Sequence, residues 1–266
     1  MMSNPLSRRL ARFAALTAED HALLEDAGGE RVRRVGARED VFREGDRPRC
    51  LYLVLDGWAM RYKSLEDGRR QVLSFALPGD ICDQHVLLLS RADHSMSALS
   101  ATSVAEISAT RISEIARASP RLLYALCLSN LVGQASQREW TINLGQRTAL
   151  ERMAHLICEL FFRLRAIGLT HGNTCELPVT QATLADATGI SAVHVNRTLQ
   201  ELRASNLITL RGKHLTIDDI EGLQSVALFN PGYLHLDEVE RATQTARDGE
   251  PTTPPLLLAA LAADGG

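Results

Sequence analysis

Between Thr180 and Arg203 the chain reads TQATLADATGISAVHVNRTLQELR, and its hydrogen-bonding side chains fall on one side of a helical wheel. Asn196, Arg197, Gln200 and Arg203 share that side with Ala192 and Val193, while Val195, Leu199 and Leu202, spaced i, i+4 and i+7, make the apolar side opposite. With His194, these side chains suit recognition of polar edges and phosphates. The chain has no Ser-His-Asp set with family spacing, no phosphate-cradling glycine loop, no metal motif and no cofactor fingerprint, which makes an enzyme the weakest reading.

Positioning these residues takes two short helices and a tight turn. Thr180 is an N-cap, Gln181 opens the first helix, and Leu184, Ala185 and Thr188 recur at helical spacing. Gly189 suits the left-handed residue that ends a helix, and Ser191 caps the second. Farther on, Asn206–Ile217 alternates apolar residues about a turn at Arg211-Gly212-Lys213, a β-hairpin with a basic tip. The pattern predicts a winged helix-turn-helix whose second helix enters a DNA major groove. On that reading Arg197 grips a guanine, His194 and Asn196 donate to base edges, and Val193 touches a thymine methyl. Arg203, Arg211, Lys213 and the helix amino termini at Thr180, Gln181 and Ser191 hold phosphate. The alternative for the helical pair alone is an ordinary hairpin with a solvated face.

Composition narrows the setting. At 266 residues there is room for two domains, and a net charge of −3 argues against indiscriminate coating of nucleic acid. From Arg147 to Asn230 eight Lys and Arg face eight Asp and Glu, so phosphate affinity must come from placement. No apolar run approaches a membrane span and Met1–Arg12 lacks the core of a signal peptide, so a cytoplasmic protein without membrane contact is expected. Cys50, Cys82, Cys127, Cys158 and Cys175 are scattered, without a Cys-x-x-Cys pair, and read as reduced thiols.

Upstream, residues 1–18 read as a lead-in, with a helix start at Thr17–Asp20. Residues 19–117 read as a sensor domain of β texture. Gly45, Gly57, Gly68 and Gly79 recur 12, 11 and 11 residues apart in turn-like settings, the spacing of an antiparallel roll. Ile81–Leu89 is expected as a short inserted helix, either cradling a ligand or plugging the roll. Gly79, Asp80, Cys82, Arg91 and Ser97 are its candidate effector pocket. Residues 118–146 predict a long helix in which Tyr124, Leu128, Leu131, Ala135 and Ile142 approximate a heptad stripe, most simply a dimer seam. Gly145 breaks it, and Thr148 with Glu151 forms a capping box for the next helix in the 147–230 DNA-binding domain. Residues 231–266 are a tail, disordered or docked on the body.

The glycine-punctuated β-roll, long helix and winged helix-turn-helix together resemble the family of the cyclic-AMP receptor protein and the fumarate-nitrate regulator, over roughly residues 20–225. The most specific part is Thr180–Leu202, with Gly189, Ser191, Arg197 and Leu202 in the family's places. The resemblance implies an α+β fold, a homodimeric transcription regulator on a palindromic double-stranded promoter site, and contact with RNA polymerase. It also departs from the family. Gly79 is followed by Asp80 where cyclic-AMP binders have Gly-Glu, and Met96 precedes Ser97-Ala98 where they place an arginine. Arg91 is the nearby substitute, and a phosphate buried without a cation is costly, so no tight cyclic-nucleotide binding is expected. No cysteine precedes Cys50, which argues against an iron–sulfur cluster. Cys82 and His85 form only a weak Cys-x-x-His signal, so no cofactor or metal is expected and the effector is unnamed. Ala192-Val193 replaces the Arg-Glu reading pair of many relatives, which implies a different half-site. The competing function is a ligand-sensing module whose winged helix binds protein.

Overall fold

The computed structural model describes residues 4–82 and 91–236. Eight strands build the amino-terminal roll: β1 (Val32–Val35), β2 (Asp40–Phe42), β3 (Cys50–Asp56), β4 (Ala59–Ser64), β5 (Arg70–Ala76), β6 (Ile81–Cys82), β7 (Ser95–Ala98) and β8 (Thr102–Ser108). They pair antiparallel in two four-stranded sheets, ordered β1-β8-β3-β6 and β2-β7-β4-β5. Strand β3 shows why a continuous apolar run is needed there. Tyr52 and Val54 enter the core between the sheets, while the alternate residues Leu51 and Leu53 enter a second core under the helices.

That second core receives α1 (Pro5–Leu10) and α2 (Ala18–Gly29), with α3 (Ala109–Ala118) and the start of α4 (Pro120–Gly145). The expected lead-in is therefore structural from residue 4. Asn4 caps α1, Pro5 fits its first turn, and Leu6, Leu10, Phe13 and Ala14 are buried. The turn before β6 admits no other residue than glycine at 79. Its φ is +90°, and a Cβ there would stand 2.6 Å from the Pro5 carbonyl oxygen. The α2 capping box forms as expected from Thr17 and Asp20, and Asp20 also accepts from Ser119 Oγ at 2.6 Å, tying α2 to the start of α4.

After α4 come α5 (Ala149–Ala166), β9 (Thr170–His171), β10 (Thr174–Glu176), α6 (Gln181–Thr188), α7 (Ala192–Ala204), β11 (Ile208–Arg211), β12 (His214–Ile217) and α8 (Ile220–Ala227). The wing hairpin β11–β12 is extended by β10 and β9 into one sheet, a pair that the alternation at Thr170–Glu176 was too short to reveal. Thr148 and Glu151 form the expected capping box at the break after α4. The two halves share one core. Trp58, Met60, Val72 and Phe75 of the roll pack with Trp140 and with Met153, Ile157 and Phe161 of α5. Phe75 stands between Trp58 and Trp140, its ring centroid 6.4 Å and 5.9 Å from theirs.

Three expectations need correction. Ile81 and Cys82 form a strand paired with Leu53 and Tyr52, because their backbone completes the sheet edge; the rest of the expected helix, 83–90, lies outside the described residues. The stripe on α4 is not a single free seam. Ala135 is buried, and Leu128 packs partly against the core beneath the roll, so these two serve the protomer itself. The helix must bury apolar residues on the sensor side, and two neighbouring stripes cannot be separated by periodicity alone. Finally, the tail begins ordered: Pro231–Leu234 is a 3₁₀ turn with Leu234 buried, and residues 237–266 lie outside the described residues.

Candidate nucleic-acid interface and the cavity behind it

Helix α6 starts at Thr180, whose Oγ1 accepts from Thr183 N–H at 3.1 Å, and ends at Gly189 in the left-handed conformation, φ +66°. Helix α7 starts at Ser191, whose Oγ accepts from His194 N–H at 3.2 Å. Each cap satisfies one amide and leaves the first-turn N–H groups of Gln181 and of Ala192 and Val193 for an outside acceptor. Val195, Leu199 and Leu202 are buried, which fixes the roll of α7 about its axis. Asn196, Arg197, Gln200 and Arg203 are consequently exposed, and Val193 stands 82 % exposed beside them. Arg197 Nη2 lies 2.9 Å from His194 Nε2, so the two expected base readers form one polar unit.

The wing is built as expected. Arg211 pairs with His214 across Gly212-Lys213, and all four residues are exposed. His214 adds a third basic group at the tip that the alternating pattern did not single out. Thr180, Gln181, Ser191, the α7 face and the wing tip are thus all on solvent-facing positions of one compact domain.

The expected effector residues do not assemble. Cys82 is buried in the roll core, Ser97 donates to the Glu39 carbonyl at 3.2 Å, and Gly79 is pressed against Pro5. Arg91 is exposed and donates to the Gly45 carbonyl at 3.2 Å, holding a roll turn. Of the five, only Asp80 borders a cavity of any size. That cavity, about 490 Å³, lies between the roll and helices α1, α4 and α5, with Arg9, Arg61, Ser74, Asp80, Gln137 and Arg163 in its wall.

Its wall is an ion-pair cluster contributed from distant parts of the chain. Arg163 of α5 donates to Asp80 at 2.7 Å, to the Phe75 carbonyl at 2.9 Å and to Glu159 at 3.3 Å. Arg9 of α1 pairs with the other Asp80 oxygen and donates to Ser129 Oγ at 3.1 Å. Burial alone raises the Asp80 carboxyl, but Arg9 and then Arg163 outweigh it and hold the group below the ordinary carboxylate range. Glu159 also accepts from Trp140 Nε1 at 3.1 Å and from the Tyr233 hydroxyl at 2.9 Å, and burial followed by Glu159 pushes that phenol up. Arg8 and Arg12 donate to the carbonyls of Ile167 and Leu234, so α1 and the residues just after it touch the carboxy-terminal half at the end of α5 and at the 3₁₀ turn. Only the Glu159–Arg163 pair has a readable spacing, i and i+4 on α5; Arg9 and Asp80 join it from segments whose separation along the chain carries no signal. Among the described residues no group of three His, Cys, Asp or Glu side chains converges as a metal cage, and no helix is long and apolar enough to cross a membrane.

A sensor roll leading through a long helix to a winged helix-turn-helix with a free polar reading face is the build of a DNA-binding regulator. Residues 32–119 match the family model of the cyclic nucleotide-binding domain, and residues 151–226 match that of the Crp-like helix-turn-helix domain. The nitrogen fixation regulation protein FixK of Bradyrhizobium diazoefficiens is 30% identical over 200 residues, covering 75% of this chain and 82% of that protein. The transcriptional activator protein FnrL of Cereibacter sphaeroides is 28% identical over 225 residues, covering 81% and 87%. The structure of FixK2 from Bradyrhizobium japonicum superposes with a TM-score of 0.65 over 74% of this chain and 96% of that one, at 23% identity. The chain belongs to the Crp/Fnr family of transcription regulators, with a sensor domain and a DNA-binding helix-turn-helix domain.

Proposed function

We propose that the chain works as a cytoplasmic homodimer that reads a palindromic promoter site, with one α7 in each of two major grooves about one helical turn apart. The observation that carries this reading is α7 itself, buried along Val195, Leu199 and Leu202 and free along Val193, Asn196, Arg197 and Gln200. The exposed side of α4, with Leu131 at 55 % and Ile142 at 43 % exposure and Tyr124 half-buried beside them, supports pairing with a second copy. Cys127, Gln134 and Arg138 lie on the same free side and replace Leu128 and Ala135 in the seam. Contact with RNA polymerase then follows from placement at promoters, and no enzymatic step is part of the reading.

The cavity behind the roll is the proposed effector site, in place of the set around Arg91. Its polar wall suits a small hydrogen-bonding molecule, and cyclic AMP is not the expected one. Arg91 is engaged with Gly45 at the surface, and Met96 is fully buried where cyclic-AMP binders have their phosphate-binding arginine. No cofactor is proposed. Selection of bound duplexes from a random pool, with and without candidate effectors, tests the reading. The expected product is a two-fold symmetric site with its half-sites one turn apart. Failure of the pool to enrich, together with retention of the winged domain by a protein ligand, would favour the protein-binding alternative. Calorimetric binding of cyclic AMP, lost on Arg91→Ala, would overturn the assignment of the effector site.

A further inference from the structure

We infer that strand β5 couples the cavity to the helix-turn-helix, with Arg70–Asp186 as the latch at its far end. This rests on the reading of the cavity as an effector site and of α6–α7 as the DNA-binding element. Strand β5 is an edge strand: β4 pairs with it on one side and, among the described residues, no strand pairs on the other. Its outer carbonyls are taken by side chains instead. Gln137 of α4 donates to Leu73 at 2.9 Å, and Arg163 of α5 donates to Phe75 at 2.9 Å. An edge held this way is bound by one ladder, to β4, and its outer side can flex with that hairpin by exchanging a few side-chain hydrogen bonds, whereas a central strand is fixed by ladders on both sides.

The two ends of β5 serve different halves of the molecule. Leu73, Ser74 and Phe75 line the cavity, with Ser74 Oγ accepting from Arg61 at 2.9 Å. Three or four residues along, about 10–13 Å at strand rise, Arg70 donates through Nε and Nη2 to Asp186 at 2.8 and 2.6 Å. Next to it Gln71 donates to the Ala187 carbonyl at 3.3 Å, and Val72, Leu184 and Ala187 belong to one buried apolar cluster. Ala187 is in the last turn of α6, where carbonyls lack helical partners. The following carbonyl, that of Thr188, is held by Arg152. A sensor strand thus helps finish the helix whose end, Gly189, aims α7. Arg70 is itself steadied over the Tyr62 ring, 5.4 Å from the centroid, and Tyr62 donates to Asp40 at 3.0 Å, so the latch is anchored in the roll. Anything that moves the cavity wall at Ser74 moves the strand that seats α6.

The test uses the full chain as wild type, Arg70→Glu, Asp186→Arg and the charge-swapped double variant, read by hydrogen exchange at the α6 and Gly189 amides. Both single variants are expected to exchange faster and the swap to return toward wild type. In parallel, affinity for the full palindrome selected from the pool falls about threefold or more in the single variants, the scale of an exposed ion pair, and recovers in the swap. Coupling is read with Ser74→Leu, which adds bulk at the cavity wall without touching α6. It is expected to alter α6 exchange in the wild-type background and to have a much smaller effect with Arg70→Glu. Unchanged α6 exchange in the single variants, no recovery in the swap, or a Ser74→Leu effect independent of Arg70 would each overturn the inference. Failure of the wild type to bind any selected duplex would refute the DNA-binding reading and leave the exchange result standing.

Discussion

Replacing Asp80 by asparagine keeps the shape of the side chain and an acceptor for the Leu77 N–H, which now donates to it at 2.8 Å, but removes the charge between two arginines. The carboxylate is 7 % exposed, and Arg9 and Arg163 are 16 % and 14 % exposed, so water cannot easily take its place. Breaking a buried pair by neutralising one partner costs about 3–5 kcal/mol, because the remaining charge stays desolvated. Arg163 retains Glu159 and the Phe75 carbonyl, and Arg9 retains Ser129, which places Asp80→Asn near the lower end, about 3 kcal/mol. Urea unfolding at pH 7 should show this as a lower midpoint with an unchanged slope. Adding Arg163→Met should cost less in the Asp80→Asn background than alone, by about 1–3 kcal/mol of coupling. A loss below about 1 kcal/mol, the scale of a surface pair, or strict additivity of the two substitutions would refute the view that Asp80 ties α1, the roll and α5 together.

Arg197→Ala should cost about 1–3 kcal/mol of affinity for the selected site and relax one base position per half-site, as competition with single-base variants would report. A uniform loss on all sequences would instead make Arg197 a phosphate contact. His155 is fully buried beside Asn143, and burial followed by Arg147 brings it down to about 3. The unfolded chain therefore takes up a proton below about pH 6.5 that the native state refuses. Stability from this group is complete above that pH and should fall by about 1.4 kcal/mol per pH unit between about 6 and 4; denaturant unfolding should show the slope, and His155→Gln should lack it. Leu131→Glu should shift the sedimentation-equilibrium balance toward monomer and weaken full-site binding, whereas Leu122→Ala, buried within the protomer, should lower stability with a smaller effect on association.

Much of the reading element was present in the order of residues. Thr180, Gly189 and Ser191 mark its caps and turn because capping depends on one side chain and its next three amides, a purely local matter. The apolar positions Val195, Leu199 and Leu202 fix which side of α7 is free for the same reason, since a helix repeats every 3.6 residues whatever it packs against. The wing and the long helix followed from equally local signals: a turn at Gly212-Lys213 between alternating runs, and the recurrence of apolar residues from Tyr124 to Ile142.

Only the tertiary structure decided how the sensor is wired to that element. Strand alternation could not tell that Leu51 and Leu53 face one core and Tyr52 and Val54 another, because both kinds of neighbour are apolar. It could not bring Arg9 and Arg163 together on Asp80, which happens only when α1 and α5 close on opposite sides of one carboxylate. Nor could the heptad stripe on α4 separate the residues spent inside the protomer, Leu128 and Ala135, from those left outside, Leu131 and Ile142. Caps, turns and periodicity depend on neighbours within a few residues and can be read along the chain. Long-range ion pairs, cavities and the choice between two apolar faces depend on chain segments far apart in the sequence, 83 residues for Asp80 and Arg163 and 116 for Arg70 and Asp186, and exist only once the chain has folded.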